Sequence, residues 1–252
     1  MYTLHIINKD RNVCVNSNII EWDIKSGNTS MMYHYDLAPK PIIDKLAALP
    51  KKDRVVAIGK LMKKDKDFSK NLEKSFNNII KEFLEINKIP NENIISIKRD
   101  AVYVLNWDIE FSDFGEFVHF IPKNKYVGWF HVNPFEFYFR EDGIDVKGMN
   151  DTILPLHNDG MLSFIQELFN VCRSSNMNKG SINEFLSEFT RHYKGKQLIN
   201  DYYREFNSES LYRFNFPEGM LQMDSVSDDD LEFLDISYNY KTLVLPLIRE
   251  LC

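Results

Sequence analysis

The chain has 252 residues, of which 44% are hydrophobic, 13% aromatic and 27% charged. That balance suits one large domain or two small ones with a sizeable core, and it excludes disorder over most of the length. The net charge of −6 argues against a strongly basic nucleic-acid binder, and no apolar run approaches the roughly 20 residues of a membrane helix.

The N-terminus, MYTLHIINKDRN, has no apolar core of the signal-peptide kind. Cys14, Cys172 and Cys252 form no CxxC pair and are odd in number. A disulfide framework or structural zinc is therefore not expected, and a reducing cytoplasm is. His5, His34, His119, His131, His157 and His192 show no zinc-ligand spacing.

Residues 2–7 and 12–24 read as strands. Ile20, Trp22 and Ile24 alternate with polar neighbours, which puts Glu21 and Asp23 on the face opposite Trp22. A polar stretch from Lys25 to Ser30 leads into a short helical segment ending near Tyr35, then a Pro-punctuated piece from Ala38 to Pro41. The clearest helix spans roughly 67–88, where Phe68, Leu72, Phe76, Ile79, Phe83 and Ile86 form one apolar stripe. Asp67 or Ser69 is expected to cap it, and Pro90 prevents its continuation.

Residues 94–105 read as two short strands broken by a polar tip, Lys98-Arg99-Asp100. Further strands are expected at 116–121, 126–132, 135–140 and 143–147. They are separated by Pro122-Lys123-Asn124, Asn133-Pro134 and Asp142-Gly143, and make two consecutive hairpins. From about residue 160 the period becomes helical, at 160–173, 181–193, 196–206 and 241–251, with an acidic loop from Asp224 to Asp230. The expected architecture is α+β: an antiparallel sheet with packed helices over 1–155, then a mostly helical part over 156–252.

Charge is uneven along this layout. Residues 1–100 carry 18 Lys/Arg against 13 Asp/Glu, and residues 101–252 carry 13 against 24. Lys60, Lys63, Lys64, Lys66, Lys70 and Lys74 cluster around the start of the long helix, either as a solvated face or as a surface that grips phosphate.

Asp23 ends one strand and Asp100 sits at the tip of a strand pair 77 residues later. Two aspartates on neighbouring strands are the arrangement that binds paired divalent cations for phosphoryl chemistry. The segment from Asp23 to Met32, with Ser26 and Ser30 three and seven residues after the aspartate, resembles the first palm motif of family B DNA polymerases, DxxSLYPSII. Lys98 to Val104 resembles the third motif, DTDSIFV, with its second aspartate kept as Asp100. Lys123-Asn124-Lys125-Tyr126 looks like the KKRY motif, and Asp145-Val146-Lys147-Gly148 like the D-x-KG strand that follows it. The four stand in the family's order over roughly residues 18–150, and the later helices resemble a reduced thumb.

The resemblance implies a palm fold in which Asp23 and Asp100 hold Mg²⁺, or Mn²⁺ in its place, assisted by the Ile24 carbonyl. Ser26 and the backbone of residues 25–28 would face a triphosphate. Asn28 stands where the family has the tyrosine that packs under the sugar. Lys123, Lys125, Tyr126 and Lys147 would hold a primer–template duplex, DNA in the family, through phosphate contacts. Lys98 takes the place of the third motif's first aspartate, and with Arg99 it would meet phosphate. The fingers motif KxxxNSxYG has no counterpart between residues 40 and 70, where Lys60 would stand in for its lysine. The 22 residues before Asp23 are too few for a proofreading exonuclease.

Two readings stay open. One is a minimal two-metal palm that transfers nucleotides to a nucleic-acid 3′ end. The other is a catalytically silent palm-like module that binds nucleic acid or a replication or transcription partner. Either suits a viral or phage replication protein with no membrane association, which the Lys/Asn/Ile-rich composition also favours.

Overall fold

The computed structural model of the chain describes residues 5–8, 11–132, 135–147, 159–195 and 197. The fold is α+β, with two antiparallel sheets and six α-helices among those residues. Two compact units divide it: residues 1–11 with 17–126, and residues 12–16 with 127–252. The expected boundary at residue 155 lies outside the described residues. So do the acidic loop and the expected helices at 196–206 (residue 197 apart) and 241–251.

The first unit is built on a six-stranded sheet. Its strands are β1 (His5–Ile7), β3 (Ile19–Ile24), β4 (Ile94–Lys98), β5 (Ala101–Leu105), β6 (Asp113–Phe114) and β7 (Val118–Tyr126), in the spatial order β1-β4-β5-β3-β7-β6. Strand β3 lies between β5 and β7 and pairs antiparallel with both. Four helices intervene between β3 and β4: α1 (Gly27–His34), α2 (Lys40–Ala47), α3 (Lys51–Lys64) and α4 (Lys66–Ile86).

From Phe68 to Phe83 the stripe read from the sequence is the buried face of α4, whereas Ile86, expected in it, is 44% exposed at the last residue of the helix. Phe76, Ile79 and Phe83 join Ile24, Val102, Val104 and Phe120 of the sheet in one core. Phe83 stacks on Phe120 with ring centroids 4.1 Å apart. Each such side chain, fully buried, contributes roughly 1.5–3 kcal/mol.

The cap of α4 differs from expectation. Asp65, not Asp67 or Ser69, is the N-cap, and its carboxylate accepts from the backbone N–H groups of Asp67 and Phe68 at 3.0 and 2.9 Å. The reason lies in the backbone: Asp65 is extended at φ −118°, ψ 105°, the half-in geometry an N-cap needs, and the helix begins at Lys66. Asp65→Ala is expected to destabilise the first unit by about 1 kcal/mol in chemical denaturation, whereas Asp67→Ala costs less.

Pro122-Lys123-Asn124, expected as a turn, instead lies inside β7. Trp22 pairs with Pro122 and Glu21 with Asn124, so Lys123 is an extra residue, a β-bulge opposite β3. Strand β6 pairs only with Val118 and His119, so no ladder on that side needs the N–H that Pro122 lacks.

The second unit holds β2 (Val13–Cys14), β8 (Gly128–Val132), β9 (Phe135–Phe139) and β10 (Ile144–Lys147), in the order β10-β9-β8-β2. Of the two consecutive hairpins expected from the sequence, the one at Asp142-Gly143 is β9–β10, whereas the one at Pro122-Lys123-Asn124 does not form and β8 pairs with β9 instead. Helices α5 (Asp159–Ser174) and α6 (Lys179–Lys194) cover one face through Phe164, Leu168, Phe169 and Phe189, packed on Phe130, Phe137 and Phe139. Glu141 closes a bidentate pair with Arg173 at 2.8 and 2.9 Å, joining the β9–β10 turn to the end of α5. No described helix is long and apolar enough to cross a membrane.

Candidate functional site

The aspartates come together through strand register. Asp23 pairs with Ala101 across the β3–β5 ladder, and the Ile24 N–H donates to the Asp100 carbonyl at 2.9 Å. Asp100 occupies a two-residue turn, with Lys98 paired to Ala101 and Arg99 in the left-handed region at φ 36°. The β4–β5 hairpin thus carries Asp100 to the end of β3, where Asp23 stands.

The two carboxylates interact. Desolvation at the tip and the negative charge of Asp23 push the Asp100 carboxyl above its ordinary range, only partly offset by its own backbone N–H, Arg99 and Lys123. Carboxylate oxygens are the hard donors that Mg²⁺ and Mn²⁺ prefer, so the donor chemistry fits such a cation. Among the described residues there is no group of three or more His, Cys, Asp or Glu side chains arranged for a metal ion. A cation here would complete its shell with backbone, substrate and water oxygens.

A protein cation already touches the pair. Lys123 Nζ donates to Asp23 Oδ2 at 2.7 Å and lies 3.6 Å from Glu21 Oε1. Hydrogen bonding to Asp23 raises the Lys123 pKa, so the side chain is an ammonium at neutral pH. Its bulge position turns it to this face: without the extra residue, β7 would keep the alternation of a regular strand.

Glu21, which the sequence reading placed on the face of Asp23 but gave no role, is only 2% exposed. Its Oε2 accepts from Asn124 Nδ2 at 2.6 Å and from the Tyr126 hydroxyl at 3.1 Å. The signal was available in the alternation of β3, since a charged residue two positions before a strand-end aspartate shares its face.

On the other side of the tip, Gly27 opens α1. A Cβ there would lie 3.3 Å from the Asp100 Cβ and 3.2 Å from Phe76 Cε1, so glycine permits the close approach. The Arg99 guanidinium lies over the Phe76 ring, 4.8 Å from its centroid, with Nε and Nη2 buried and without hydrogen-bond partners. Ser26 is left-handed at φ 54°, and its carbonyl accepts from the Thr29 and Ser30 N–H groups at 2.9 and 3.2 Å. Asn28 follows it in the first turn of α1, half-buried, with its Oδ1 buried and unpaired.

The remaining expected residues are spread more widely. Lys98 is half-buried on β4, while Lys125 is exposed on β7, opposite Ile20. Tyr126 is fully buried, and Lys60 is exposed on α3. Lys147 lies on β10 in the second unit. Asp23, Asp100 and Lys123 form the centre, with Ile24, Gly27 and Arg99 around them.

Over residues 1–252, the sequence matches the family model described as bacteriophage PBS1 gene 130 protein. The chain belongs to this family. No curated protein matches it. Membership in the gene 130 family makes it a phage protein, as its composition suggested. The family's description names a phage gene product and no chemistry.

Proposed function

We propose that the chain is a minimal palm-like nucleotidyltransferase, in which Asp23 and Asp100 support metal-dependent transfer of a nucleotide to a nucleic-acid 3′ end. The observation that carries this reading is the register that sets both aspartates at adjacent strand ends, with Asp23 charge felt at Asp100. Mg²⁺, or Mn²⁺ in its place, held by Asp23, Asp100 and the Ile24 carbonyl, would activate the 3′-hydroxyl and neutralise charge on the phosphate.

The chain's own residues do the rest. The β4–β5 turn fixes Asp100 against the end of β3, so the two carboxylates are oriented before substrate arrives. Lys98 and Arg99 put positive charge at the same tip, where a triphosphate would need it. Lys125 and the exposed lysines of α3 and α4 offer phosphate contacts that position a duplex without reading its sequence. The test is incorporation of labelled nucleotide on a primer–template with Mg²⁺ or Mn²⁺. Incorporation is expected in the wild type and its loss in Asp23→Asn.

One observation favours a second reading. With Lys123 on Asp23 and Lys98 at the tip, the negative pair is partly neutralised by the protein itself. A silent module of this kind binds primer–template without divalent cations, with affinity that falls steeply as salt rises. Salt-sensitive binding in EDTA, together with no incorporation in any metal, would select it and turn the search to a replication or transcription partner.

A further inference from the structure

We infer that Arg99 is an arm, stored on the Phe76 ring, that leaves it to grip the polyphosphate of an incoming nucleotide. This rests on the reading of Asp23 and Asp100 as the metal carboxylates. The guanidinium lies over the ring, 4.8 Å from its centroid. Its Nε and Nη2 are buried, with no hydrogen-bond partner among the described residues. The ring face returns only part of what two N–H groups lose on leaving water. The rest is recovered when an acceptor is offered.

The backbone points the same way. Lys98 pairs with Ala101, so Arg99 is the first of two turn residues, and it is left-handed at φ 36°. Hairpins of this length favour glycine or asparagine there, and an arginine holds the position against that preference. The arm is also stored beside the carboxylates. A Cβ at Gly27 would lie 3.2 Å from Phe76 Cε1 and 3.3 Å from the Asp100 Cβ, so the ring under Arg99 borders the tip itself.

Phosphate is the acceptor that fits. The guanidinium fork bonds two phosphate oxygens at once, which an ammonium does not. A nucleotide's polyphosphate carries several such oxygens, and a cation on the neighbouring aspartates draws it to the tip.

Calorimetric titration of the full chain with inorganic tripolyphosphate in Mg²⁺ tests this without turnover, with thermal unfolding run beside it. Arg99→Lys keeps the charge and loses the fork, so its affinity is expected to fall about tenfold. Arg99→Gly is expected to bind more weakly still, yet to unfold at the wild-type temperature or above, because glycine relieves the left-handed position. Phe76→Leu removes the ring that stores the arm, and is expected to bind at least as tightly as the wild type.

An Arg99 that merely anchors the turn on α4 would lower the unfolding temperature of Arg99→Gly and weaken binding in Phe76→Leu. Either result would overturn the inference, and if Phe76→Leu does not fold, the two Arg99 variants decide. Arg99 variants that bind like the wild type would overturn it and leave the aspartate reading intact. A wild type that does not bind tripolyphosphate would also overturn it, alone if nucleotide incorporation still requires Asp23, and together with that reading if incorporation is absent.

Discussion

Asp100→Asn is expected to lose nucleotide incorporation by about a thousandfold or more while the protein becomes more stable at neutral pH. The loss follows from removing one of two carboxylates that hold and orient charge in the transition state, groups whose individual removal costs roughly 10²–10³ or more. The gain follows from the environment of Asp100, whose carboxyl is raised by partial desolvation and by the Asp23 charge. A raised acid pKa means the folded state holds its proton more tightly than the unfolded chain does.

Stability therefore falls as pH rises from the ordinary aspartate value through the raised one, and the cost is fully present above both. Asparagine has no charge to confine, so its benefit appears at neutral pH and vanishes below the ordinary aspartate range. Residue 100 is open to solvent at the hairpin tip, so screening keeps the gain small, about 0.5 kcal/mol. Thermal unfolding of both proteins in metal-free buffer at pH 7 and pH 3 checks the sign. Equal stability at both pH values would refute the electrostatic account of the tip.

Gly128→Ala is expected to cost about 3 kcal/mol, the largest loss among the described glycines of the second unit. A Cβ at Gly128 would sit 2.3 Å from Phe169 Cε2 and 2.7 Å from the Cys14 carbonyl oxygen. Neither neighbour can yield cheaply. Phe169 is stacked on Phe139 at 3.9 Å and packed edge-on against Phe130, and the Cys14 carbonyl belongs to the β2 backbone. Gly143→Ala is the matched control, because nothing lies within 4 Å of a Cβ there. Urea titrations are expected to separate the two variants clearly, with Gly143→Ala within about 0.5 kcal/mol of wild type.

The parts of the fold that were legible in the sequence are those in which local pattern and tertiary burial agree. The stripe of α4 from Phe68 to Phe83, the Lys98-Arg99-Asp100 tip and the β9–β10 hairpin all carry their own periodicity or turn chemistry. Helix α3 does not. Val55 and Val56 are 54% and 51% exposed and only Ile58 is buried, so no stripe announces it among its charged residues. Strand β7 was divided because Pro122 reads as a break, and nothing local reveals that the strand bulges instead.

The site shows the same division. Asp23, Asp100 and Ile24 were visible because each lies at a strand end beside polar punctuation. The shared face of Glu21 and Asp23 was visible in the alternation of β3. Their junction through Lys123 was not, since it spans 100 residues of sequence and depends on one inserted residue that shifts β7 out of phase. Long-range pairing of this kind is set by register, which a linear pattern does not encode.

The measurement that bears most directly on the central claim is single-nucleotide incorporation on a labelled primer–template in Mg²⁺ and in EDTA. Wild type, Asp23→Asn and Asp100→Asn are run side by side. The account expects incorporation by the wild type in Mg²⁺ alone and none by either variant. Incorporation that survives both substitutions, or that persists in EDTA, would contradict it.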